Sequence, residues 1–221
     1  MASGFYERED VRIYKTLKFQ RGLVLDVGAN IGFFSLLFAH LYPECQIHAF
    51  EPNPYAFERL QENLKANPKL GYRISTFANA VSDREQHVEL TTVPGAAGHA
   101  WGRVGIPRRD GMVTFDVAAT TIDSLYAGSR VPIRLIKIDV EGYELPVLEG
   151  ASAVVAEFRP IIVFEVSLSF LIEQPGVYQR QLAFAEKHGY QAMVLGGAGL
   201  VPYKGPVTRV FNMWLMPNAA H

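Results

Sequence analysis

The chain has 221 residues, 49% hydrophobic and 19% charged, with a net charge of −1. Such a length suits one ordinary domain able to bury a large core, and the composition excludes a disordered chain. Near-neutral charge gives no electrostatic case for DNA or RNA, the apolar runs are too short to span a bilayer, and the single Cys45 cannot close an internal disulfide.

From the first residue onward, residues 1–20 carry Glu7, Arg8, Glu9, Asp10 and Arg12 and lack the apolar stretch of a signal peptide, so a cytoplasmic protein is expected. A short amphipathic helix is expected at about 5–19, through Val11, Tyr14 and Leu17. Residues 23–27 read as a buried strand, Gly28 and Gly32 mark a turn, and Phe33 to Phe38 begin a helix. Residues 46–50 read as the next strand, ending in Glu51. Asn53 is suited to cap a helix with Pro54 as its first residue, and that helix should stop near Asn67-Pro68. A third strand is expected at about 72–81. Residues 88–92 and 112–118 alternate as the strands of a hairpin, around a glycine-rich loop at 94–111. Strands at 133–138 and 160–166, a helix at 178–188 closed by Gly189, and a pair at 191–195 and 207–216 complete the chain. The alternation predicts an α/β fold: a mostly parallel sheet with helices on both faces and a hairpin/loop insertion at about 84–120, within one domain over 1–221.

A strand, a glycine turn and a helix form a ligand cradle, because the N–H groups at a helix start point into the turn. Dinucleotide sites space their glycines as G-x-G-x-x-G. Here the spacing is Gly28-x-Asn30-x-Gly32, with Asp26 two residues before it and no Lys or Arg between Leu23 and His40. An acidic group at this turn suits a ligand carrying positive charge, such as the ammonium of S-adenosylmethionine. Glu51, about 20 residues past the turn, is spaced to take the hydroxyls of a ribose. Ile136-Lys-Ile-Asp-Val-Glu-Gly-Tyr-Glu144 leaves an apolar strand with Lys137, Asp139 and Glu141 on one side. Ligands of open α/β sheets bind beyond the carboxyl ends of the strands, so Asp139 should share a rim with Asp26 and Glu51, and Glu165 should join it from the next strand. Asp139 is the expected base for a hydroxyl nucleophile, with Lys137, Glu141 and Glu165 around it. Asp139 and Glu165 are also candidate oxygen ligands for Mg or Mn. In the glycine-rich loop, His99 and Trp101 are candidates to stack on a sugar face, and Arg103 to attract an acidic acceptor. The histidines show no metal-ligand spacing.

Asp26-Val-Gly-Ala-Asn-Ile-Gly-Phe-Phe-Ser, Phe50-Glu-Pro-Asn-Pro, Ala80-Val-Ser-Asp83, Thr121-Ile-Asp123 and the segment around Asp139 together resemble the FkbM family of S-adenosylmethionine-dependent methyltransferases, over roughly residues 21–170. The resemblance implies a Rossmann-like class I methyltransferase fold with seven strands, the last antiparallel. It implies O-methylation of a hydroxyl on a sugar, glycan or polyketide-type natural product. Asp26, Gly28 and Asn30, with Gly32 in the same motif, would hold the methionine part, and Glu51, followed by Pro52, the ribose. Asn79, Ala80 and Val81 would flank the adenine. The expected partner is a small-molecule or glycan acceptor, with neither nucleic acid nor membrane, and a homodimer is left open. A nicotinamide-dependent oxidoreductase and a non-catalytic nucleoside-binding protein are the rival readings. The first lacks its glycine spacing here, and the second has no need of Lys137, Asp139 and Glu141.

Overall fold

The computed structural model describes residues 3–95, 102–174, 176–208 and 210–218. Helix α1 (Ser3–Thr16) leads into β1 (Gly22–Val27), α2 (Phe33–Leu41), β2 (Cys45–Phe50), α3 (Pro54–Ala66), the short α4 (Pro68–Gly71) and β3 (Ile74–Phe77). Four strands then depart from the main sheet: β4 (Ala80–Val81), β5 (Gln86–Thr92), β6 (Gly102–Val104) and β7 (Val113–Thr120). Helix α5 (Ile122–Tyr126) returns the chain to β8 (Ile133–Ile138), α6 (Glu144–Glu149), α7 (Ser152–Phe158) and β9 (Ile161–Val166). Helices α8 (Leu168–Glu173) and α9 (Val177–Lys187) precede β10 (Tyr190–Gly196), β11 (Gly199–Pro202) and β12 (Phe211–Pro217).

The main sheet has eight strands in the order β11-β10-β12-β9-β8-β1-β2-β3. Strands β9, β8, β1, β2 and β3 are parallel, and β12 runs antiparallel to both its neighbours. The eighth strand is β11, an edge hairpin partner of β10 inside what reads from sequence as loop. The strand expected at 72–81 is divided: β3 ends at Phe77, and β4 pairs instead with β7 in a second sheet, β4-β7-β5-β6. Strand β6 lies within the stretch expected to be loop and adds to the edge of β5, because Gly102 to Val104 extend far enough to satisfy that edge.

Period-two alternation divides the buried residues between the two faces of the main sheet. Leu23, Leu25, Val27, Ile136, Ile138, Ile162, Phe164, Met213 and Leu215 pack beneath α5, α6, α7 and α9. Val24, Leu135, Val163 and Trp214 pack on the opposite face with Tyr14 of α1, Phe34 and Phe38 of α2 and Leu60 of α3. The same parity places Asp26, Lys137 and Glu165 on the α1/α2 face at the carboxyl ends of adjacent strands, with Asp26 paired to Lys137 and Glu165 to Asn212. Asp10 of α1 accepts hydrogen bonds from Asn212 Nδ2 at 2.5 Å and Trp214 Nε1 at 3.0 Å, which fixes that helix over the sheet. No helix among the described residues is long and apolar enough to cross a membrane.

Candidate active site

A cavity of about 510 Å³ lies over the carboxyl ends of the central strands. Its first wall is the turn after β1. Gly28, Asn30 and Gly32 all have positive φ, at 80°, 50° and 87°. Glycine adopts this conformation without a Cβ clash, and asparagine is among the few other residues that tolerate it. Asn30 Oδ1 also accepts from Ile31 N at 2.8 Å, which fixes the turn locally. A Cβ on Gly28 would lie 1.9 Å from the Asp139 carbonyl oxygen, so only glycine lets the turn approach the end of β8. Gly28 N and Ala29 N both donate to Phe50 O at 2.9 Å, tying the turn to the end of β2.

Glu51 follows directly and is only 7% exposed. Its Oε2 accepts from Asn30 N at 2.7 Å and its Oε1 from Asn53 N at 2.8 Å. Each oxygen keeps a lone pair for a ligand hydroxyl. Burial pushes the Glu51 carboxyl up to about 7, opposed by those two N–H groups. Pro52, Asn79, Ala80, Val81 and Leu90 continue this wall, and Gly102 and Val104 of β6 reach it from the second sheet.

Carboxylates form the other wall. Lys137, Asp139, Glu141 and Glu165 all line the cavity. Lys137 is 6% exposed. Its ammonium donates to Asp139 Oδ2 at 3.0 Å, lies 3.9 Å from Asp26 Oδ1, and sits 4.4 Å from the ring centroid of Phe34. Burial, then the negative charges of Asp139, Glu141 and Glu144, hold the Glu165 carboxyl at about 8, so it is mostly neutral at pH 7. Burial followed by Asp139 raises Glu141 as well, with Arg103 opposing. Glu141 and Gly142 are consecutive left-handed residues, at φ 54° and 97°. The Glu141 conformation is uncommon for a side chain of that size, and such strain is held in place only by its surroundings. Gly142 N donates to Glu144 Oε1 at 3.0 Å, which secures the turn into α6.

Seven of the expected cofactor residues line the cavity, Gly28, Asn30, Glu51, Pro52, Asn79, Ala80 and Val81, and so does Asp139. Asp26 and Gly32 do not. Asp26 is fully buried under the turn, where Ser35 Oγ donates to it at 2.5 Å and Lys137 faces it. Its charge therefore acts through Lys137, a cross-strand neighbour whose register with β1 is not legible in the sequence. Gly32 packs against Leu60 Cδ1, 2.4 Å from where a Cβ would stand. His99 and Trp101 lie outside the described residues. Arg103 is described, and its guanidinium bonds Glu173 rather than lining the cavity. Among the described residues no group of three His, Cys, Asp or Glu side chains could hold a metal ion, and the two candidate ligands, Asp139 and Glu165, both line the cavity. The Lys137 ammonium already supplies positive charge at Asp139.

Three contributors went unread in the sequence. Asn53 is seen there only as a helix cap, which it is, through Tyr55 N at 3.1 Å, but its own N–H also orients Glu51. Tyr143 lines the cavity with its hydroxyl 3.0 Å from Ser82 Oγ. Phe33, 55% exposed on α2, stands at the rim edge-on to Phe34; an exposed aromatic at a helix start was the available signal.

Residues 26–192 match the family model of the methyltransferase FkbM domain. The hexuronic acid methyltransferase AglP of Haloferax volcanii is 26% identical over 71% of this chain and 61% of its own. The 31-O-demethyl-FK506 methyltransferase FkbM of Streptomyces tacrolimicus is 44% identical over 34% of this chain and 27% of its own. This chain thus spans less than two thirds of the length of the curated relatives it matches. The crystal structure of methyltransferase FkbM from Methylobacillus flagellatus superposes with a TM-score of 0.59 at 16% identity, covering 91% of this chain and 47% of that one. The fold is that of a class I methyltransferase, and the chain belongs to the FkbM methyltransferase family.

Proposed function

We propose that this FkbM-family chain binds S-adenosylmethionine and transfers its methyl group to a hydroxyl of a sugar, glycan or polyketide-type natural product. The observation that carries the reading is one cavity with two chemically different walls. One is a left-handed turn beside a doubly N–H-bonded Glu51, and the other is a carboxylate wall centred on Asp139. The relatives' names, which specify a hexuronic acid and 31-O-demethyl-FK506, support an oxygen acceptor.

The donor set suits an adenosyl group. Glu51 would accept the ribose hydroxyls, Asn79, Ala80 and Val81 would flank the base, and Gly28 and Asn30 would meet the methionine part. Bound S-adenosylmethionine supplies an electrophilic methyl group on a sulfonium. A hydroxyl is a weak nucleophile near pH 7 and needs a base as it attacks. Asp139 takes that proton. Lys137 donates to Asp139 and fixes its rotamer, and the buried Asp26 keeps Lys137 in place. Glu165, mostly neutral at pH 7, offers the acceptor a hydrogen-bond donor. Much of the acceleration comes from positioning, which supplies up to ~7–11 kcal/mol in favourable systems.

The test is tritiated methyl transfer from S-adenosylmethionine to a panel of hexoses, hexuronic acids and hydroxylated macrolactones, with the product identified as a methyl ether by mass and NMR. S-adenosylhomocysteine should form in equal amount, and turnover with and without EDTA separates a direct Asp139 base from action through a metal. Calorimetry that finds tight NAD binding and no binding of S-adenosylmethionine would overturn the reading.

A further inference from the structure

We propose that Arg103 is a positioning residue for the acceptor side of the cavity: from the second sheet it clamps the Glu141-Gly142 turn to α8. The proposal rests on the methyl-transfer reading above for its consequence, and on geometry alone for the clamp. Along β6 the side chains alternate, so Gly102 and Val104 face the cavity while Arg103 points the other way. There Arg103 Nη2 donates to Glu173 Oε2 at 2.8 Å, and its guanidinium carbon lies 4.6 Å from the ring centroid of Phe170. A Cβ on Gly142 would stand 3.1 Å from Arg103 Nη2 and 3.1 Å from Phe170 Cγ, so guanidinium, ring and turn are packed in direct contact. Gln174 Nε2 adds a bond to Gly142 O at 3.3 Å from the end of α8.

The ion pair by itself does not account for this placement. The Arg103 side chain is 11% exposed and Glu173 is 53% exposed. An ion pair with a half-exposed partner contributes little, while burying a guanidinium carries a desolvation cost. Arg103 Nε is moreover buried without a hydrogen-bond partner among the described residues. What the burial achieves is contact with two chain segments, α8 and the Gly142 turn, and a positive charge that opposes the upward shift of the Glu141 carboxyl. Glu141 sits in a strained conformation on the cavity wall, and Arg103 packs against the next residue of that turn, Gly142.

The experiment compares wild type, Arg103→Ala and the charge swap R103E/E173R by three measurements: S-adenosylhomocysteine affinity, hydrogen exchange of residues 140–144 and 168–174, and methyl-transfer kinetics. Arg103→Ala should leave S-adenosylhomocysteine affinity within about twofold, raise exchange in both segments and lower kcat about tenfold. The swap restores the pair with α8 but turns a negative charge toward Glu141. Exchange protection of 168–174 should therefore return while kcat stays low. Full recovery of kcat in the swap would reduce Arg103 to a structural tie and overturn the proposal, as would unchanged exchange in Arg103→Ala. Exchange needs no acceptor, so a wild type that transfers no methyl group would sink the functional reading while the clamp is still judged.

Discussion

The turn side of the cavity is held by main chain and the carboxylate side by side chains. Around Glu51, the determinants are backbone N–H groups of Asn30 and Asn53 and three left-handed residues within 28–32. Around Asp139, they are the ammonium of Lys137 and the buried Asp26 behind it, with the guanidinium of Arg103 packed on the nearby Gly142 turn. Backbone geometry is set by residues adjacent in sequence and tolerates change at neighbouring side chains. A charge cluster depends on partners from distant strands, and removing one member leaves another buried and uncompensated. The first arrangement suits a ligand that never varies, and the second is adjustable one side chain at a time.

The largest expected effect separates the two sides outright. Asp139→Asn keeps shape and most hydrogen bonding but removes the base, so the rate should fall by about 10²–10⁴. S-adenosylhomocysteine affinity, measured by calorimetry, should stay within a few fold. Equal losses in both would mean the two walls act as one unit.

Glu51→Ala attacks the other side. It removes charged hydrogen bonds to two hydroxyls, a loss of roughly 1.5–3 kcal/mol, or about 10- to 150-fold in S-adenosylmethionine affinity. The rate at saturating cofactor should change far less. Unchanged affinity in a folded variant would remove Glu51 from the ribose.

A smaller effect tests the charge logic. Burial leaves Glu51 and Glu144 at about 7 and Glu165 at about 8, above the ordinary 4.5. The folded state thus holds protons that the unfolded chain has lost. This stabilising contribution is complete below about pH 4.5 and is lost as pH rises through 7 to 8. The melting temperature should fall between pH 5.5 and 8.5, at about 2–4 °C for each kcal/mol. Glu165→Gln, which mimics the neutral form, should flatten the upper part of that slope and retain activity at pH 7. A slope unaltered in that variant would show that Glu165 does not titrate there.

The same contrast explains what the sequence made legible. The turn, Glu51 and the helix cap at Asn53 are local patterns, and each stands where its pattern indicates. The parallel core was readable because β1, β8 and β9 are short apolar runs between turn signals. From sequence Asp26 faces the ligand, because its neutralisation depends on strand register, which places Lys137 directly beside it. From sequence Arg103 faces an acceptor, because its partner Glu173 lies 70 residues further along the chain. The short strands β6 and β11 carry too few residues for alternation to mark them.

The four-stranded sheet has a small apolar core of its own, in Ala80, Leu90, Val117 and Ala119. It joins the cavity through only a few positions, Leu90, Gly102 and Val104 among them. Such a module is open to divergence by insertion or exchange, since redrawing its outline spares the glycine turn. Grafting the 84–120 segment between relatives would test whether this module selects the acceptor: a changed acceptor with unchanged S-adenosylhomocysteine affinity is the expected outcome.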